Sequence, residues 1–164
     1  MEEPVKPLPK KTPSQSRTEI SRIVRPLDAN TLGTGYGGYI MDWMDMAASI
    51  CARRHTNLRV NTVLVESLRF KKPIRIGHVA KIVAVATRSF NTSMEVKVDL
   101  YDEDTYNDTI EFAGTATFVL VGLDDKCRPT KVPELVPETE EEKLLWLQAG
   151  ERREKRKREQ MEKE

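Results

Sequence analysis

With 164 residues the chain accommodates one domain with a real core plus terminal tails. Lys and Arg number 27 against 26 Asp and Glu, a formal net charge of +1, so no strong attraction to nucleic acid follows. Cys51 and Cys127 give neither a disulfide framework nor metal-ligand spacing, and no apolar run approaches the ~20 residues of a membrane span.

The opening, MEEPVKPLPKK, is polar and proline-bearing rather than a secretory leader, and a cytoplasmic setting is expected. Residues 1–18, rich in Pro, Lys and Ser, read as a mobile arm. Residues 19–25 alternate and predict a first strand; residues 26–30 predict a turn. A glycine-rich loop, 30–38, then opens a helix over about 38–55 whose core, YIMDWMDMAASICA, is apolar almost all round. Runs rich in Val, Ile and Thr predict strands over 59–70, 79–89, 93–101 and 109–121, with the later links short enough for antiparallel hairpins. Residues 124–137 are a proline-containing exit, and a second helix starts near Glu138, with Thr139 and Glu142 fitting a capping box. Its acidic start and basic continuation suit the helix dipole; beyond Gly150 it reads as solvated or frayed. The domain reading is an arm (1–18), a central domain (19–137) and a charged helix (138–164).

Strand, long buried helix, four antiparallel strands and a tail helix make an α+β layer arrangement. One five-stranded sheet covers one side of such a helix, so a second subunit is expected over the rest.

Carboxylates are rarely buried unless paired or used. Asp42 and Asp45, inside the apolar helix, therefore call for a reason. Gly37 and Gly38 place bare backbone amides at the helix start, where the dipole is positive. A carboxylate behind such a terminus suits an electrophile whose oxygen becomes negative. Asp42 lies near the same face and is either a second carboxylate of the site or a residue turned to solvent or a partner. His55 is expected to complement the helix C-terminus. The sequence suggests no Ser-His-Asp or Cys-His arrangement.

The pattern Asp28-x-Asn30-x-x-Gly33-x-x-Tyr36-Gly37-Gly38-x-Ile40-Met41-x-x-Met44-Asp45-x-Ala47-Ala48 resembles the opening motif of hotdog-fold acyl-coenzyme A thioesterases, most closely the cytosolic acyl-CoA hydrolase and YciA-like group. Three later stretches agree: Val60-x-Thr62-Val63-x-Val65-Glu66, Phe70-x-x-Pro73-Ile74-x-x-Gly77 and Thr92-Ser93-Met94-Glu95-Val96. The likeness covers about residues 19–137. Tyr36 stands at an aromatic or His position, and His78 where the family often has Asp.

The resemblance implies a hotdog fold, an antiparallel sheet wrapped around the long helix, and hydrolysis of acyl-CoA to a free acid and coenzyme A. It implies no metal or redox cofactor and a homo-oligomer, a dimer at least and as a trimer of dimers a hexamer. It makes Asp45 the general base or nucleophile, Asn30 the group that orients water or polarises the carbonyl, and the Gly38 amide the oxyanion donor. Gly37 and Thr62 would border the substrate. Arg88, Asn91, Thr92 and Ser93 would meet the nucleotide of coenzyme A, with Lys71 and Lys72 near its phosphates. The alternative is a non-hydrolytic acyl-CoA-binding or assembly module, which the charged helix would serve. Nucleic-acid binding through the RREKRKR run is disfavoured by its interleaved Glu.

Overall fold

Five antiparallel strands wrap around a 20-residue helix in the computed structural model, which describes residues 8–162. The elements are α1 (Pro13–Ser16), β1 (Thr18–Ile23), α2 (Gly37–Thr56), β2 (Arg59–Phe70), β3 (Val79–Ser89), β4 (Ser93–Asp104), β5 (Thr109–Leu123) and α3 (Glu140–Met161). The strand order is β1-β3-β4-β5-β2. β4 outruns its predicted end because its ladder with β5 continues to the pair Asp104–Thr109, beside which Asp108 turns the chain with φ 55°, and β5 runs on to Leu123 because Val60 and Arg59 of β2 pair with Gly122 and Leu123.

Along β4, Met94, Val96, Val98 and Leu100 are buried against α2. Helix α2 answers with Met44, Ala47, Ala48, Cys51 and Ala52, all fully buried. Three alanines in that set let the helix axis lie close to the sheet. The helix is not covered all round within one chain, because Tyr39, Met41, Asp42 and Met46 stay exposed on its outer side. β2, at the sheet edge, likewise leaves Val63 58% and Phe70 48% exposed. An apolar edge strand with unpaired backbone groups is a template for another chain.

β2 is interrupted twice. Its register against β5 shifts between Thr62 and Leu64, and again between Glu66 and Arg69, where Ser67 has φ 55°. Thr62 pairs with Leu120 and Val65 with Phe118, both in the core beneath α2, whereas Glu66 pairs with Thr117 and turns to the opposite face.

On that opposite face lies α3. Thr139 and Glu142 cap it reciprocally, as the capping box predicts. Beyond Gly150 it is not frayed: helix continues to Met161. Arg152 forms a two-pronged ion pair with the fully buried Glu95, at 2.7 and 3.1 Å, and Arg156 pairs with Glu66. Thr87 Oγ1 adds a third bond to Glu95 at 2.8 Å. Ala149 is the one fully buried side chain of α3 among the described residues, so charge contacts rather than an apolar face hold it.

Of the expected arm, residues 1–7 lie outside the described residues. Lys11 bridges to Leu135 and its ammonium reaches Asn57 and the Arg54 carbonyl, while Ser16 is buried near Cys51. Backbone pairing thus fixes residues that composition alone marks as mobile. His55 is also corrected. It is fully buried, and its Nε2 donates to the Pro133 carbonyl at 2.9 Å. Burial pushes its pKa below the ordinary 6.5, with Lys11 opposing protonation further, so it is neutral rather than a cation on the helix dipole.

Candidate active site

The polar residues singled out by the sequence fall in three places. The first is on α2 and β2. Thr62 Oγ1 donates to Asp45 Oδ1 at 2.6 Å, both side chains being half-buried. The β-bulge beside Thr62 aims it at the helix. One carboxylate oxygen is thus steered by a hydroxyl while the other has no partner among the described residues. Asp42 is exposed and joins no ion pair there.

The second place is a cavity of about 330 Å³ bounded by Asn30, Gly37, Phe70, Lys71, Lys72 and Ile74. Asp28 fixes its approach: a two-pronged Arg25 contact, at 2.8 and 3.0 Å, holds the carboxyl at about 2, and its carbonyl accepts from Tyr36 N. Asn30 Oδ1 accepts from the amides of Leu32 and Thr34 at 3.0 and 3.1 Å, and its Nδ2 donates to Thr34 Oγ1 at 2.9 Å. A second Nδ2 proton remains available. Gly33, with φ 76°, turns the loop so that Gly35 N reaches the Ile74 carbonyl at 2.7 Å. Tyr36 supplies no side-chain cap to α2, which leaves the first-turn amides of Gly37 and Gly38 uncapped. A Cβ on Gly37 would touch the Phe70 ring at 3.4 Å. Lys72 is not free for phosphate: it pairs with Glu111 and with the buried Asp102, the latter at 3.4 Å. His78 Nδ1 donates to the same Asp102 carboxylate at 2.8 Å. Lys71 forms no ion pair among the described residues.

The third place is a cavity of about 670 Å³ between the β3–β4 corner and α3. Arg88 and Asn91 border it. Arg88 does not point outward. Its guanidinium lies 3.5 Å from the centre of the Trp146 ring and donates to the Trp146 carbonyl at 3.2 Å. Gly150 makes that approach feasible, since a Cβ there would sit 2.1 Å from Arg88 Nη1. Arg153, absent from the sequence-based site, stands over the Phe90 ring at 4.4 Å with Nη1 3.5 Å from Ser93 Oγ. Only its spacing from Arg152 and Arg156 could have set it apart in a run of charge.

Asp45 and Gly38 lie seven residues apart on one helix, roughly 10 Å along its axis. A single chain therefore does not bring Asp45 and the Gly38 amide to one reacting carbon. Among the described residues no group of three or more His, Cys, Asp or Glu is placed to hold a metal ion, and no helix is long and apolar enough to cross a membrane.

A five-stranded antiparallel sheet wrapped on one long helix is the hotdog arrangement. Comparison with known proteins agrees. Residues 32–108 match the family model described as thioesterase superfamily. The uncharacterized acyl-CoA thioester hydrolase YkhA of Bacillus subtilis is 35% identical over 151 residues, spanning 89% of this chain and 88% of its own. The human cytosolic acyl coenzyme A thioester hydrolase is 38% identical over 135 residues; the match takes in 80% of this chain but 35% of that longer protein. The acyl-CoA hydrolase of Staphylococcus aureus, solved with butyryl coenzyme A and coenzyme A, superposes with a TM-score of 0.87 at 34% identity, covering 94% of each chain. It has also been solved as alanine variants of one Asn, one Asp and one Thr. A hexameric acyl-CoA thioesterase superposes with a TM-score of 0.88 at 32% identity, over 92% of this chain and 96% of its own. The chain belongs to the hotdog-fold acyl-CoA thioester hydrolases of the thioesterase superfamily, and its activity is hydrolysis of acyl-CoA.

Proposed function

We propose that hydrolysis takes place between two copies of the chain, with Asn30 and the Gly38 amide from one and Asp45 with Thr62 from the other. The observation that carries this reading is the axial separation of Asp45 from the helix start, together with the apolar edge strand and helix face left exposed in one chain. The staphylococcal variants support the choice of residues. Their Asn, Asp and Thr are spaced by fifteen and seventeen residues, as are Asn30, Asp45 and Thr62.

The thioester carbonyl oxygen rests at the Gly38 amide and the free Nδ2 proton of Asn30. Asp45 takes a proton from water as the water oxygen adds to the carbonyl carbon. Thr62 holds one carboxylate oxygen, so the other faces the water. The negative charge that develops on the carbonyl oxygen meets the helix N-terminus, where one preorganised donor is worth about 3 kcal/mol. The C–S bond then breaks, and the coenzyme A thiolate leaves and takes up a proton. The reading uses the chain's own groups and water, with no cofactor. Paired copies that continue the sheet through β2 place both helices on one side and give two sites per dimer; three dimers make the hexamer. A cytoplasmic setting suits both the coenzyme and the two unpaired cysteines. An assembly module without hydrolysis loses its support, because α3 is docked on its own sheet.

The test is release of coenzyme A from butyryl-CoA in the presence of a thiol reagent. Exposed Cys127 consumes about one equivalent at once, whereas buried Cys51, its thiol pushed up to about 11, stays silent. Catalytic release continues past that burst. Asp45→Ala should lose most turnover and keep coenzyme A binding; wild-type turnover in this variant would sink the assignment.

A further inference from the structure

Near the end of β4 a carboxylate, Asp102, is buried, with 4% of its surface exposed. Its ladder partner on β5 is Glu111. Like charges directly opposite in a ladder repel. Lys72 and His78 answer them. Lys72 pairs with Glu111 and, at 3.4 Å, with Asp102 Oδ2. His78 Nδ1 donates to Asp102 Oδ1 at 2.8 Å, and its Nε2 lies 3.7 Å from Asp104 Oδ2. A well-packed apolar side chain would fill position 102 without the cost of desolvating an ion, as Leu100 does two residues earlier in the strand. The buried charge therefore asks for a purpose beyond stability. An Asp at 78, which the resembling family often carries, would set a third carboxylate against Asp102 and Asp104. His78 fits the Asp102 of this chain.

Lys72 and His78 are the two ends of one segment. Residues 72–78 run beside the loop that carries Asn30, and backbone contacts join the two. Gly35 N donates to the Ile74 carbonyl at 2.7 Å, Ile76 N donates to the Gly33 carbonyl at 3.2 Å, and Thr34 bridges to Arg75. Thr34 is also the residue that fixes the Asn30 amide, through its own N–H and Oγ1. Lys72 and Ile74 border the cavity of about 330 Å³ together with Asn30 and Gly37. Each end of the segment has a backbone tie of its own: Lys72 N to the Ala113 carbonyl at 3.1 Å, and Val24 N to the His78 carbonyl at 2.9 Å. Asp102 is the side-chain acceptor that both ends share. It sets how closely the segment, and the Asn30 loop bonded to it, approaches β4.

We propose that His78 and Asp102 form a positioning pair for the hydrolysis: with Lys72 at the other end they clasp the 72–78 segment and so fix the place of Asn30 against the thioester carbonyl. This rests on the assignment of Asn30 to that carbonyl in the reading above. The clasp acts on geometry at the reacting centre and not on the hold over the nucleotide, so its effect belongs to kcat.

The experiment measures coenzyme A release from butyryl-CoA by three variants. His78→Leu removes the donor and should lower kcat about tenfold while KM stays within about twofold. His78→Asn, whose amide can donate from near the place of Nδ1, should recover most of that loss. His78→Asp sets like charges together and should lose at least as much as His78→Leu. Wild-type kcat in His78→Leu, or a loss carried by KM, overturns the proposal. Amide exchange followed by mass spectrometry reads the clasp without turnover. The peptide covering residues 31–36 should exchange about tenfold faster in His78→Leu, while amides of the β4–β5 ladder keep their protection. Equal acceleration throughout the chain would mean that the pair only stabilises the fold, and unchanged exchange at 31–36 would mean that it does not hold the loop; either overturns the proposal. Wild-type kcat in Asn30→Ala, beside a loosened loop and lost kcat in His78→Leu, would overturn the Asn30 assignment and leave the positioning pair standing.

Discussion

Replacing Thr62 with Val keeps the shape of the side chain and its β-branching but removes the hydroxyl that reaches Asp45. In the folded chain that hydroxyl donates at 2.6 Å to Oδ1 of a half-buried carboxylate. Hydrogen bonds to charged groups contribute about 1.5–3 kcal/mol, more when water is excluded. Partial exposure argues for the middle of that range, about 2 kcal/mol, which corresponds to roughly thirtyfold in rate. The loss should appear in kcat for acyl-CoA hydrolysis with little change in KM, since Thr62 orients the base rather than the nucleotide. Thr62→Ser, which restores the donor, should return most of it. Steady-state release of coenzyme A measures both variants. Wild-type kcat in Thr62→Val, or a purely KM effect, would refute the idea that Thr62 steers Asp45.

Two further outcomes concern what holds the scaffold. Glu95→Ala strips the buried partner from Arg152 and should destabilise by about 3 kcal/mol, the low end for a broken buried pair because Arg152 can still reach water. At this chain length that lowers Tm by roughly 6–12 °C. A Glu95→Met, Arg152→Leu double substitution should regain most of the loss, and a double variant no more stable than the single one would contradict the account of α3 docking. His55 is held neutral by burial, so the unfolded chain binds a proton near pH 6.5 that the native histidine refuses. Its contribution is full above that pH and is lost as pH falls toward the lowered native value. His55→Gln should flatten the pH dependence of unfolding free energy between about pH 7 and 5.5; an unchanged slope would show that His55 protonates freely in the fold.

Period and turn chemistry carried most of the fold. The apolar run 39–52 had to be a buried helix, and β2 and β3 begin and end where their Val-, Ile- and Thr-rich runs do. Asp45 stood out locally, as a carboxylate in an apolar helix, whereas Asn30 and Thr62 entered through the family resemblance, and the contact of Thr62 with Asp45 depends on how β2 packs against α2. The charged helix was not legible from local signals. Whether an arginine run is solvated depends on its partners, and Arg152 and Arg156 find theirs 57 and 90 residues away. His55 is similar, since its acceptor is the Pro133 carbonyl, 78 residues off. The split of one proposed centre across two copies depends on distance along a helix, which motif spacing does not convey.

The two interruptions in β2 give the strand a change of phase. In an unbroken strand Thr62, Glu66 and Phe70 would all look the same way, being four residues apart. Here Thr62 and Phe70 look toward α2 and Glu66 looks toward α3, because one surplus residue inverts the alternation and a second restores it. The same short segment thereby touches the aspartate on one side of the sheet and the helix anchor on the other. Deleting Val63 alone would take out one surplus residue and close the first interruption, leaving Thr62 opposite Leu120 and Glu66 opposite Thr117. Removing one residue from each interruption would likewise keep Thr62 and Phe70 on the α2 side and Glu66 on the α3 side, now by plain alternation at a spacing of three. What such shortening would cost is the local bend and twist of the bulges, not the partners on either face.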